Sequence, residues 1–120
     1  MTEPQPRILG DTSDLEVGPG TAGAVWRLQP SPRDLDANII HLPAGDGIGS
    51  HVGPDVDVLL LVLEGDGSLT TETEVLELHA GAIVWLPRRS RRQFLAGSSG
   101  LRYFSVHQHR QALALSPTRG

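Results

Sequence analysis

An all-β fold, a jelly roll or small closed barrel, is what the sequence predicts, and three observations predict it. Fourteen glycines and nine prolines in 120 residues are too many for helix interiors, where glycine costs backbone entropy and proline clashes with the preceding turn. Short apolar or alternating runs recur between turn signals at even spacing, as in sandwiches and barrels. The longest apolar run, Val58 to Leu63, is six residues, suited to a buried strand and far short of a membrane span. At this length a single core, and therefore one domain, is expected.

Each element follows from its local pattern. Residues 1–20 lack sustained periodicity and read as a flexible N-terminal arm, with room for an edge strand around Arg7 to Leu9. Residues 21–110 hold the barrel and residues 111–120 a C-terminal tail. Ala24 to Leu28 is a strand closed by the turn at Pro30 and Pro32, and Ala37 to Leu42 is a second, ending at Pro43-Ala44-Gly45. Gly45 to Ser50 reads as a flexible segment leading to His51. Val56 to Leu63 is a buried strand that turns at Glu64-Gly65-Asp66-Gly67. Ser68 to Thr71 and Val75 to Leu78 form a hairpin over Glu72-Thr73-Glu74. Ala82 to Leu86 is a buried strand stopped by Pro87, Arg92 to Ala96 follows, and Gly97 to Gly100 is a loop before the last strand, Leu101 to Gln108. The segment from about Gln108 to Leu115 suits a terminal helical turn. The count is eight or nine strands, with the few aromatics assigned to the core or the cavity wall.

Composition removes several function classes. Without cysteine there is no disulfide framework, thiolate zinc site, iron–sulfur ligation or cysteine nucleophile. The opening MTEPQPRILGDTSD has neither a basic region followed by an apolar run nor a cleavage site, and reads as cytoplasmic and unprocessed. All ten basic residues are arginines, and they are unevenly placed. Residues 1–87 carry all fourteen carboxylates and three arginines, a formal −11, and residues 88–120 carry seven arginines and no carboxylate, a formal +7. The run Arg88-Arg89-Ser90-Arg91-Arg92 lacks interleaved aromatics, so neither nucleic acid nor a membrane is the expected partner.

Two spacings carry a resemblance. Gly45, five residues, His51, one residue, Gly53, four residues, Val58, six residues, Gly65 is one frame, and Gly81, five residues, Pro87 opens a second fifteen residues later. Over about residues 24–107 this is similar to the two motifs of the cupin superfamily, in its small single-domain bacterial form. The resemblance implies a cupin double-stranded β-helix, a jelly-roll barrel, and a homodimer. The family holds a metal through two histidines and a glutamate of the first motif and a histidine of the second. Here those positions are His51, Gly53, Val58 and Arg92. One imidazole cannot hold a divalent ion, so no metal and no cofactor is expected at that site.

On that frame the first and second motifs meet at one end of the cavity, placing His51, Asp55 and Asp57 near Arg88, Arg89, Arg91 and Arg92. Arg92 then points inward and binds an anionic group of a small-molecule ligand, with His51 beside it, Asp57 near it and Phe94 as pocket wall. These four are the candidate ligand-binding residues. The same arginines also suit an ion-pair network with Asp55 and Asp57 that closes the barrel mouth. Two further readings stay open. One is an isomerase, cyclase or lyase in which His51 moves a proton and Arg92 stabilises an anion. The other is a metalloenzyme with ligands relocated to His107 and His109, which share one strand face, together with His51 and Asp57. The simpler reading of His107 and His109 is an outer surface near the terminus. His41 and His79 read as solvent-facing strand ends.

Overall fold

The structure, a computed structural model, describes residues 3–109. Its strands are β1 (Gly23–Arg27), β2 (Leu35–Leu42), β3 (Gly47–Val52), β4 (Val58–Thr70), β5 (Val75–His79), β6 (Ile83–Leu86) and β7 (Arg91–Gln108). Every pairing is antiparallel.

Seven strands replace the expected eight or nine because two expected pairs are fused. β4 and β7 run beside each other from Val58↔His107 to Thr70↔Gln93, with register shifts between Val62 and Glu64 and between Gly65 and Gly67. Glu64 to Gly67 and Gly97 to Gly100 are therefore not a strand-ending turn and a loop. They are a shared corner, where two paired strands bend out of one sheet and into the next. Gly65 has φ 83°, and a Cβ there would collide with the Gly100 carbonyl oxygen, so this corner requires glycine.

On one side of the corner the strand order is β1-β2-β7-β4-β6, and on the other it is β3-β7-β4-β5. The core lies between these two faces. Leu42, Val58, Leu60, Val62, Leu86, Leu101 and Tyr103 come from the first, and Leu69, Leu78, Phe94 and Ala96 from the second. Phe94 and Tyr103 stack across the interior with centroids 4.9 Å apart and planes 14° apart.

Three local expectations change. Gly45 to Ser50 contributes most of β3, held by backbone pairing to β7 that needs no apolar side chains. In β6 only Leu86 is buried. Ile83 and Trp85 point outward, with Trp85 64% exposed, so this aromatic fills neither core nor cavity. Residues 7–9 form no strand. The arm instead lies over the outer side of β1, β2 and β7, leaving an open groove of about 380 Å³ with Leu9, Leu15, Trp26, Ile39 and Phe104 in its walls. That cover explains why Ile39 is buried although Ile40 and Leu42 are the residues of β2 packed against the core.

Gln108 ends β7 and His109 follows it outside any helix; the expected helical turn beyond His109, with the 111–120 tail, lies outside the described residues. Among the described residues, no helix is long and apolar enough to cross a membrane.

Candidate functional site

The site begins with a turn. Pro87, Arg88, Arg89 and Ser90 join β6 to β7, with the Ser90 amide donating to the Pro87 carbonyl at 3.1 Å. Arg89 has φ 56°, at the third position of a turn where a left-handed residue is usually glycine. It stands where the second motif of the resemblance has a glycine, and the backbone here takes the left-handed conformation with an arginine in that place. The turn is tied down from both sides: the Arg89 amide donates to the Pro54 carbonyl and the Gly53 amide to the Ser90 carbonyl.

Arg92 grips the same turn from within. Its Nε donates to the Ser90 carbonyl at 3.2 Å, and its Nη2 to the Ser90 hydroxyl at 2.8 Å and the Pro87 carbonyl at 3.5 Å. The residue is 4% exposed and lies on the inward face of β7 with Phe94 and Ala96. Among the described residues no carboxylate comes within 4.0 Å of its guanidinium. Burial draws the Arg92 pKa down, an effect Tyr103 opposes. The arginine nevertheless stays a cation at physiological pH.

The donor set does not fit a metal ion. At the four family positions the structure places the exposed His51, Gly53, the buried aliphatic Val58 and the buried Arg92. A Cβ at Gly53 would collide with the Arg92 guanidinium, so this cation occupies the space that a second histidine side chain would need. The relocated set is not assembled either. Among the described residues no three His, Asp or Glu side chains are grouped so as to hold an ion.

The four candidate residues take different roles. His51 pairs directly across from Arg92 in the β3–β7 ladder and donates through Nδ1 to the Gly49 carbonyl at 2.9 Å, which leaves Nε2 available. Phe94 is fully inside. Asp57 turns away from Arg92 and accepts the Arg88 amide at 2.9 Å. The ion pairs at the mouth are those of Asp55, with Arg89 at 2.9 Å and Arg88 at 3.7 Å.

The inward row of β7 turns polar beyond Tyr103 and includes His107, which the sequence placed on an outer surface. Tyr103, Ser105 and His107 stand opposite Val62, Leu60 and Val58, all three buried, so the row faces the interior and not an outer surface. Ser105 donates to Asn38 at 2.7 Å. His109 donates to Asp36 at 2.8 Å, and Arg33 holds the other Asp36 oxygen at 2.7 Å. These partners, His109 first, lower the Asp36 pKa. His107 donates to the Gln108 carbonyl. Alternation along β7 was the signal available for His107, two places along the same strand face from Ser105 and four from Tyr103. His79 is exposed, as expected, but His41 is partly buried and accepts a hydrogen bond from Arg102 at 3.4 Å.

No family model matches the sequence, and no curated protein matches it. Solved structures do match. The cupin domain of Schizosaccharomyces pombe Cnp3 is similar with a TM-score of 0.69 and 14% identity, over 87% of this chain and 76% of that one. A Klebsiella pneumoniae protein with a double-stranded β-helix domain has a TM-score of 0.69 and 20% identity, covering 87% and 90%. A cupin superfamily protein of Desulfitobacterium hafniense has a TM-score of 0.70 and 16% identity, covering 89% and 94%. With the two-faced barrel and its shared corner, these likenesses show that the chain has the fold of the small cupins, a double-stranded β-helix.

Proposed function

We propose that this protein is a cytoplasmic binding module that takes a small anionic molecule into the barrel through Arg92, without the metal usual for the fold. The observation that carries this reading is the buried Arg92 guanidinium with no carboxylate beside it among the described residues. A buried cation without a counter-charge is costly, and a ligand anion removes that cost. Nε and Nη2 are held by the turn, which aims the fork, while Nη1 has no hydrogen-bond partner among the described residues. His51 adds a hydrogen-bonding group from the neighbouring strand, Phe94 an apolar wall, and Asp57 steadies the Arg88 amide at the rim. The test is thermal unfolding across small carboxylates and phosphates. An anion that raises the Tm of the wild type but not of Arg92→Ala supports the reading, and a panel without effect on the wild type sinks it.

The protein is also proposed to be a homodimer. Outward residues Leu59 and Leu61 of β4 pair with Trp85 and Ile83 of β6, and all four are exposed, Ile83 at 72%. The row continues through Val106 and Phe104 toward the surface under the arm. A contiguous apolar face of this kind marks an interaction surface, and a twofold dimer would place the same patch of each copy against the other.

A further inference from the structure

We infer that the Tyr103 hydroxyl is the second donor of the anion site, so that the site takes one carboxylate, an oxygen on Arg92 and an oxygen on Tyr103, in preference to phosphate. The inference rests on the reading of Arg92 as the anion-binding group. Tyr103 is 5% exposed, and its hydroxyl makes no hydrogen bond among the described residues. A buried phenol ordinarily finds a partner. The only fully enclosed side-chain polar atom without one among the described residues is Asp66 Oδ1, so the Tyr103 oxygen keeps contact with open space, as does Arg92 Nη1.

Both donors are therefore polar atoms without a partner that keep some accessible surface on otherwise buried side chains. Their positions are fixed independently, Arg92 by the turn and Tyr103 by the stack on Phe94, two residues along β7 from Arg92. The Arg92 charge is felt at the phenol. Burial pushes the Tyr103 pKa up, and Arg92 only partly offsets it, so the hydroxyl keeps its proton and donates across the neutral and moderately alkaline range.

Charge decides the ligand class. Arg88 and Arg89 of the adjoining turn are engaged with Asp55 at the exposed rim, which leaves one buried cation for the ligand. A carboxylate brings one negative charge and two coplanar oxygens. A phosphate dianion brings a second charge that no buried group offsets.

The test uses the full chain, titrated at constant ionic strength with sodium acetate, sodium benzoate and sodium phosphate and followed by NMR. Carboxylates should bind more tightly than phosphate, Arg92→Ala should abolish binding, and Tyr103→Phe, which keeps the ring stack, should weaken carboxylates about tenfold. Tyr103 is the single tyrosine of the chain, so its ring resonances report without any substitution, and they should shift together with the Arg92 Nε–H signal. Ring resonances that stay still, a Tyr103→Phe variant that binds carboxylates like the wild type, or a preference for phosphate overturns the inference and leaves the Arg92 reading standing. Binding that survives Arg92→Ala, or a wild type that binds none of the three anions, overturns both.

Discussion

Gly53 and Arg92 are one structural decision written at two positions. The guanidinium fills the volume beside the Gly53 Cα, so either residue constrains the other. Gly53→Ala should destabilise the wild type by about 1–3 kcal/mol, as overpacking does. The same change should cost much less in an Arg92→Ala background, and urea midpoints across the double-mutant cycle measure the coupling. Arg89 offers a change of opposite sign. Its φ of 56° strains an L residue, and its ion pair with Asp55 is exposed. Arg89→Gly should therefore stabilise the fold by ~1 kcal/mol in a urea titration; loss of stability would show that this turn is not strained. Neither coupling was legible in the sequence. Spacing placed Arg92 at a ligand position, but only the packed turn reveals what the glycine two residues after His51 makes room for.

At the scale of elements, the β2–β7 ladder carries the pH-sensitive groups. Arg102 donates to His41 Nδ1, which requires that nitrogen unprotonated, and burial, then Arg102, lowers the His41 pKa. A histidine with a depressed folded pKa supports the fold above its unfolded value and loses that support as pH falls. Stability of the wild type should thus decline from about pH 6.5 downward, and His41→Gln should flatten that part of the profile. Asp36, held low by His109 and Arg33, acts further down. Its contribution is present above the unfolded carboxylate value and disappears below about pH 4, so Asp36→Asn should be less stable than the wild type at neutral pH and converge on it in acid. Chemical unfolding at stepped pH checks both. Strand existence was readable from alternation, whereas the fusion of four expected strands into β4 and β7 was not. Glycine-rich segments such as Glu64 to Gly67 suit a hairpin turn and a barrel corner equally, and only cross-strand pairing distinguishes them.

For the whole molecule, the charge division along the chain becomes a local arrangement at the barrel mouth. Asp55 and Asp57 of the acidic part meet Arg88 and Arg89 of the basic part there. On the outer side of β4 and β6 an apolar row stays exposed, Leu59, Leu61, Ile83 and Trp85. Analytical ultracentrifugation of the wild type should find a dimer, and Ile83→Lys combined with Trp85→Glu should yield a folded monomer. A wild type that sediments as a monomer rejects the dimer, and a double variant that stays dimeric places the interface elsewhere.

The sequence by itself determined the strand-rich class and the barrel frame, because turn residues and alternation are local properties. It also placed Arg92 inside. Only the tertiary structure decided that Asp57 pairs with an amide and not with Arg92, that Trp85 faces outward, and that Tyr103 stands unpartnered in the interior near Arg92's charge. These depend on which strands become neighbours and where the paired strands bend, and such long-range pairings are decided by the packing of the whole barrel.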